Sequence, residues 1–167
     1  GSSAASDVYK RQVLEQANRV PIIEVYSPPR VDAVARIWDL IPGMSLDLTT
    51  ADPDDGMPWD FRPQEKRDKA EELVASGKAM LIIGSPMCNA FSQIQALNHS
   101  RMAPERIDEL VSEGRRHLEF CMRLYRTQLE QGLYFLHEHP AYARSWNESS
   151  VQELAQDDRV RIVIGDM

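Results

Sequence analysis

Three features of the sequence predict an α/β domain with a mostly parallel sheet and flanking helices. Short, nearly continuous apolar runs of strand length recur at 22–26, 79–83 and 133–136. Segments with apolar residues three and four apart stand between them, and Pro or Gly punctuates the junctions. Buried strands alternating with amphipathic helices are the pattern of a parallel sheet joined by crossover helices.

Ile22-Ile23-Glu24-Val25-Tyr26, the first strand, stops at Ser27-Pro28-Pro29, where two prolines fix φ and remove donors. Val31, Val34, Ile37, Trp38 and Ile41 define one face of a first helix, closed by Pro42-Gly43. Residues 44–48 form a second short strand, and 49–60 an acidic loop whose length marks it as functional or mobile. A charged helix over 63–76 offers Ala70, Leu73 and Val74 to the core and ends at Gly77. Ala79-Met80-Leu81-Ile82-Ile83 is apolar throughout, as a central strand covered on both faces must be. Pro104 opens a long helix whose apolar face runs through Ile107, Leu110, Val111, Leu118, Cys121, Met122, Tyr125 and Leu129 to Gly132. A strand over 133–136, a short helix over 151–154 and a last strand over 160–164 complete the series.

A chain of 167 residues suits one domain with a core of its own. Residues 1–12 are small and polar until Lys10 and Arg11 and read as a linker-like, disordered terminus, leaving 13–167 as the domain. The net charge of -7 argues against broad capture of nucleic-acid phosphates, which needs clustered Lys and Arg. Any DNA contact would be local or supplied by regions outside this chain. No apolar run approaches the roughly 18 residues of a membrane span, so membrane insertion is not expected. Cys88 follows a strand and Cys121 lies on a helix; with no disulfide framework, the chain reads as intracellular, in a reducing compartment. No pattern specifies an oligomeric state.

Ligand crevices in open α/β sheets lie beyond the carboxyl ends of the strands. The strand exits at 24–29, 84–92 and 138–140, with Asp47 and Asp60 as acidic companions, are therefore the candidate site. Gly84-Ser85-Pro86-Met87-Cys88-Asn89-Ala90-Phe91-Ser92 resembles the Pro-Pro-Cys-Gln-x-Phe-Ser nucleophile loop of DNA cytosine-5 methyltransferases. Pro86, Cys88, Phe91 and Ser92 match; Met87 and Asn89 replace Pro and Gln. Glu138-His139-Pro140, at the exit of the next strand, stands where that family has Glu-Asn-Val. The resemblance implies a Rossmann-like methyltransferase fold with S-adenosylmethionine as cofactor. It makes Cys88 the nucleophile that adds to C6 of cytosine and Glu138 the group that meets charge developing at N3. Such chemistry needs an acidified thiol, a carboxyl with a raised pKa and a flipped base. Glu24, Tyr26 and Ser27 would form the turn that approaches the cofactor, Asp47 would hold its ribose, Asp60 would lie near its adenine, and Gly84 and Pro86 would line the loop beside it.

Pro28 and Pro29 stand where the family has glycines, which predicts weak or absent binding of S-adenosylmethionine. The resemblance stops before any counterpart of the family's Arg-bearing motif and target-recognition region. The domain is therefore expected to be incomplete at its C-terminus, weak or inactive as it stands, and one segment of a longer polyprotein of mobile-element type, nuclear if it acts on DNA. The alternative is a catalytically dead Rossmann-like module kept for binding or scaffolding. A methyltransferase for another substrate is disfavoured, because Cys88 stands where those loops carry an aromatic. His137 and His139 share a strand face but lack a third ligand, His99 and His117 being isolated, so no metal site is expected. Asp52, Asp54 and Asp55 lack the Gly and Glu spacing of a calcium loop and read as a solvated turn. Cys121 reads as core filler, and Trp59 and Trp146 as packing lids before base-stacking platforms.

Overall fold

The computed structural model describes residues 21–37, 42–87, 91 and 102–165. The elements run β1 (Ile22–Val25), α1 (Arg30–Ile37), β2 (Met44–Leu46), α2 (Gln64–Ala75), β3 (Leu81–Gly84), α3 (Pro104–Glu130), β4 (Tyr134–His137), a 3-10 turn (Arg144–Asn147) and α4 (Ser149–Ala155). The four strands form one sheet in the order β2-β1-β3-β4, every neighbouring pair parallel. The expected α/β class is thus observed. The predicted linker at 1–12, and Trp38 and Ile41 of the first helix, lie outside the described residues.

Strand order fixes where a ligand can enter. The chain steps from β1 out to β2, then crosses back past β1 to β3, so the direction of winding reverses between β1 and β3. Beyond the carboxyl ends of those strands the connections diverge and leave a crevice. The parity of β1 divides the two faces. Ile23 and Val25 enter the core with Leu46, Ile82, Leu118, Phe120 and Tyr125, on the α2 and α3 side. Glu24, one residue out of phase, meets the first turn of α1 on the opposite face.

Two sequence expectations are corrected. Residues 160–164 form no strand: Val160 packs against the core, while Ile162, Val163 and Ile164 are exposed. Asp157 holds the Val160 and Arg159 amides, and Arg159 is further tied to the Leu129 carbonyl. The segment and β4 together line a cavity of about 410 Å³ and do not pair. Strand propensity in Arg161-Ile162-Val163-Ile164 finds no ladder to join. The acidic turn, in turn, is not solvated at its centre. Asp52 is fully buried and binds Lys66 Nζ and Lys69 Nζ, each at 2.6 Å. Among the described residues no helix is long and apolar enough to cross a membrane.

Candidate functional site

The site begins with an unusual turn. Tyr26, directly after β1, has φ 60, a left-handed conformation that costs a residue with a Cβ. Its amide donates to the Leu46 carbonyl at 3.1 Å, and its ring packs on Phe61 with centroids 4.9 Å apart. The prolines that follow contribute no N–H. The open amides of α1 at Val31 and Asp32 instead donate to the Glu24 carboxylate at 3.0 and 3.1 Å, and the Arg30 amide is shared between the Pro28 carbonyl at 2.7 Å and that carboxylate at 3.3 Å. Glu24 is only 2% exposed and holds the positive end of that helix. This makes Glu24 a cap; the seat where a helix N-terminus would receive a ligand anion is already filled by the protein's own carboxylate. Ser27 belongs to the same device, its hydroxyl donating to the Pro28 carbonyl at 2.9 Å and its carbonyl accepting from Ser45.

Beside this turn lies a cavity of about 260 Å³ lined by Tyr26, Asp47, Leu48, Trp59, Asp60, Phe61, Arg62, Met87, Glu113 and His117. It falls just below the roughly 300–1,000 Å³ usual for small-molecule pockets. Asp47, immediately after β2, uses Oδ1 to accept from the Thr49 amide and hydroxyl at 2.9 and 2.7 Å. Its Oδ2 makes no hydrogen bond among the described residues. Asp60 is committed to Arg62, whose Nη2 lies 2.6 Å from Oδ2; that guanidinium holds the carboxyl below its ordinary range. Trp59 and Phe61 supply apolar walls, and Lys66 and Lys69 cover the Trp59 ring at 5.0 and 5.5 Å.

His117 enters the cavity from α3, with Nδ1 2.6 Å from Tyr26 Oη. Burial lowers its pKa and pushes the Tyr26 phenol up, so both are neutral at ordinary pH. Sequence reasoning left this histidine as isolated. The signal that marks it is helical spacing: His117, Cys121 and Tyr125 are four residues apart, on the stripe of α3 that faces the sheet.

The second crevice lies between the exits of β3 and β4. These strands are parallel neighbours, as expected, with Gly84 opposite His137 and the Glu138 amide donating to the Gly84 carbonyl at 3.0 Å. Gly84 is packed under Tyr125, and buried Pro86 offers its carbonyl to His139 Nε2 at 2.8 Å. With Nε2 donating, His139 Nδ1 accepts from the Ser145 hydroxyl at 2.5 Å. His137 lies 3.2 Å from Tyr125 Oη through Nδ1, and burial lowers it to about 3. Trp146 packs edge-on to His137 and donates its indole N–H to the Pro140 carbonyl, as a packing lid does. His139 latches the loop after β3 to the exit of β4, and His137 ties β4 to Tyr125 of α3. Among the described residues no three candidate ligands gather around a metal-sized space.

Tyr26, Asp47 and Asp60 are thus brought to one cavity. Glu24, Ser27, Gly84 and Pro86 serve the scaffold around it, and Glu138 directly follows β4, its amide on the Gly84 carbonyl. Cys88, with Asn89, Ala90 and Ser92 of its motif, lies outside the described residues. Cys121 is fully buried, and burial pushes its thiol up to about 12. A free thiol has a pKa of about 8.5, so Cys121 is expected to present far less thiolate than a free cysteine at neutral pH. Native-state alkylation followed by peptide mapping should leave Cys121 unmodified until denaturant is added; rapid labelling in buffer would contradict this burial. The chain matches no family model, no curated protein and no solved structure.

Proposed function

We propose that this chain is a divergent Rossmann-like methyltransferase domain of DNA cytosine-5 type, weak or inactive on its own. In this reading the 260 Å³ cavity takes the nucleoside end of S-adenosylmethionine, and the crevice between β3 and β4 presents Glu138 to a base. The observation that carries it is the loop 85–87, which serves both places. Met87 lines the cavity, while the Pro86 carbonyl is held by His139, next in the chain to Glu138. A methyl donor and an acceptor base must meet at such a shared boundary. Asp47, with an oxygen to spare at the end of β2, would accept from the ribose hydroxyls, and Leu48, Trp59 and Phe61 would enclose the base. The cofactor would supply the methyl group; Glu138 would hold or donate a proton at N3, and the resemblance gives Cys88 the nucleophilic role.

The occupied N-terminus of α1 favours a second reading. Glu24 fills the place where the charged amino-acid end of a cofactor could gain from the helix, as a module kept for binding or scaffolding would tolerate.

Calorimetry with S-adenosylhomocysteine separates the two. The methyltransferase reading expects weak but saturable binding, weakened about tenfold by Asp47→Ala, equivalent to about 1.4 kcal/mol, and unchanged by Glu138→Gln. No saturable binding to the wild type would leave the scaffold reading in place.

A further inference from the structure

The cavity contains one feature that its resemblance-derived residues do not use. His117 is 2% exposed, and its Nε2 is buried without a hydrogen-bond partner among the described residues. The nearest carboxylate oxygen, Glu113 Oε1, is 3.9 Å away, beyond hydrogen-bond range. A buried, unpaired ring nitrogen is costly in a protein and calls for a partner.

Tyr26 decides which proton His117 carries. If Nδ1–H donated to the phenol oxygen, the phenol proton would itself have no acceptor, since Tyr26 Oη has only this one partner among the described residues. If the phenol donates to Nδ1, its proton is satisfied and the neutral imidazole carries its own on Nε2. The second arrangement leaves one unpaired N–H on a ring that lines the cavity. Tyr26 adopts its left-handed φ 60 where it makes this bond, and strain of that kind persists only where surrounding contacts impose it.

We propose that His117, oriented by Tyr26, donates from Nε2 to an uncharged acceptor on the ligand of this cavity, and that the ligand is a nucleoside without a phosphate. This rests on the nucleoside reading given above and narrows it. The lining carboxylates Asp47, Asp60 and Glu113 face a single guanidinium, Arg62, already paired with Asp60. Among the described residues that line the cavity a phosphate would meet net negative charge, and Glu24 already holds the N-terminus of α1. A ribose diol suits Asp47, and a ring nitrogen or carbonyl of the base suits the His117 N–H.

Titration calorimetry with adenosine and with adenosine 5′-monophosphate tests the class. Adenosine should bind more tightly than its monophosphate by at least about tenfold, and His117→Ala should weaken adenosine about tenfold. His117→Gln, which keeps an N–H donor, should recover most of the loss. Long-range ¹H–¹⁵N NMR of the wild-type ring should show the Nε2-protonated tautomer, and Tyr26→Phe should let the two tautomers mix. Equal adenosine affinity in wild type and His117→Ala would overturn the donor role while leaving the cavity reading intact. Tighter binding of the monophosphate would overturn the uncharged class. No adenosine binding to the wild type would overturn both, and an Nδ1-protonated ring would overturn the donor assignment whatever binds.

Discussion

Gly84→Ala is expected to destabilise the fold by about 3 kcal/mol, the upper part of the range for forcing atoms into a well-packed core. Gly84 is the last residue of β3, between Val25 of β1 and His137 of β4. A Cβ there would lie 1.9 Å from Tyr125 Oη and 2.9 Å from Cζ, far inside contact distance. Tyr125 has nowhere to go. Its ring is fully buried, stacks on Phe135 with centroids 4.6 Å apart, and its hydroxyl meets His137. The strand could yield only by withdrawing from its neighbours, which would also pull the loop 85–87 away from both crevices. Urea unfolding of the variant checks the loss. Tyr125→Phe in the same chain should restore part of it, since the worst overlap is with the hydroxyl, and the coupling between the two changes is the diagnostic. A loss below about 1 kcal/mol would mean that the sheet end is looser than this packing requires.

That glycine also shows how far the sequence could be read. Its position at a strand exit was legible, because an unbroken apolar run ending in Gly is a strong local signal. Its role was not: a place beside the cofactor and a place beneath a tyrosine from α3 look alike in one dimension. β1, β3 and α3 were legible for the same reason, since each buries a face whose periodicity is written in consecutive residues. What escaped depends on contacts between distant segments. His117 meets Tyr26 across 91 residues, and nothing local to either announces the pair. Glu24 occupies a strand position that looks like a ligand-facing acid; only the geometry of α1, starting after two prolines, turns it into a cap. Residues 160–164 carry the composition of a strand, but a strand is defined by a partner, and here the segment lines a cavity with β4 without pairing to it.

Charge explains why the cavity wall holds its shape, and it is here that acid should act. Asp52 lies between the turn 51–58 and α2, accepting from Lys66 and Lys69 and from the Asp54 amide. Its backbone closes the turn, its amide donating to the Met57 carbonyl and its carbonyl accepting from Gly56, each at 2.8 Å. The same lysines cover Trp59, so this ion cluster braces one wall of the proposed nucleoside cavity.

Asp52→Asn is expected to cost about 2 kcal/mol at neutral pH: the loss of charge-assisted hydrogen bonds, reduced because both ammonium groups are reached by solvent and keep Asp55 and Asp54 as partners. Burial works to raise the Asp52 carboxyl, but the lysine hydrogen bonds overcome it and hold the group down at about 2. An unfolded aspartate titrates near 3.9, so the folded protein binds this proton less readily than the unfolded chain. Stability from the group is therefore fully present above about pH 5 and fades as pH falls from about 4 towards 2. The stability of wild type minus that of Asp52→Asn, measured by urea unfolding at successive pH values, reports chiefly this contribution, because Asp60 and Asp157, also lowered, are paired with other residues and common to both chains. The difference should be flat at neutral pH and shrink on acidification across that window. A difference that grew as pH fell would mean that Asp52 is held in its neutral form, and the two lysines could not then be its partners.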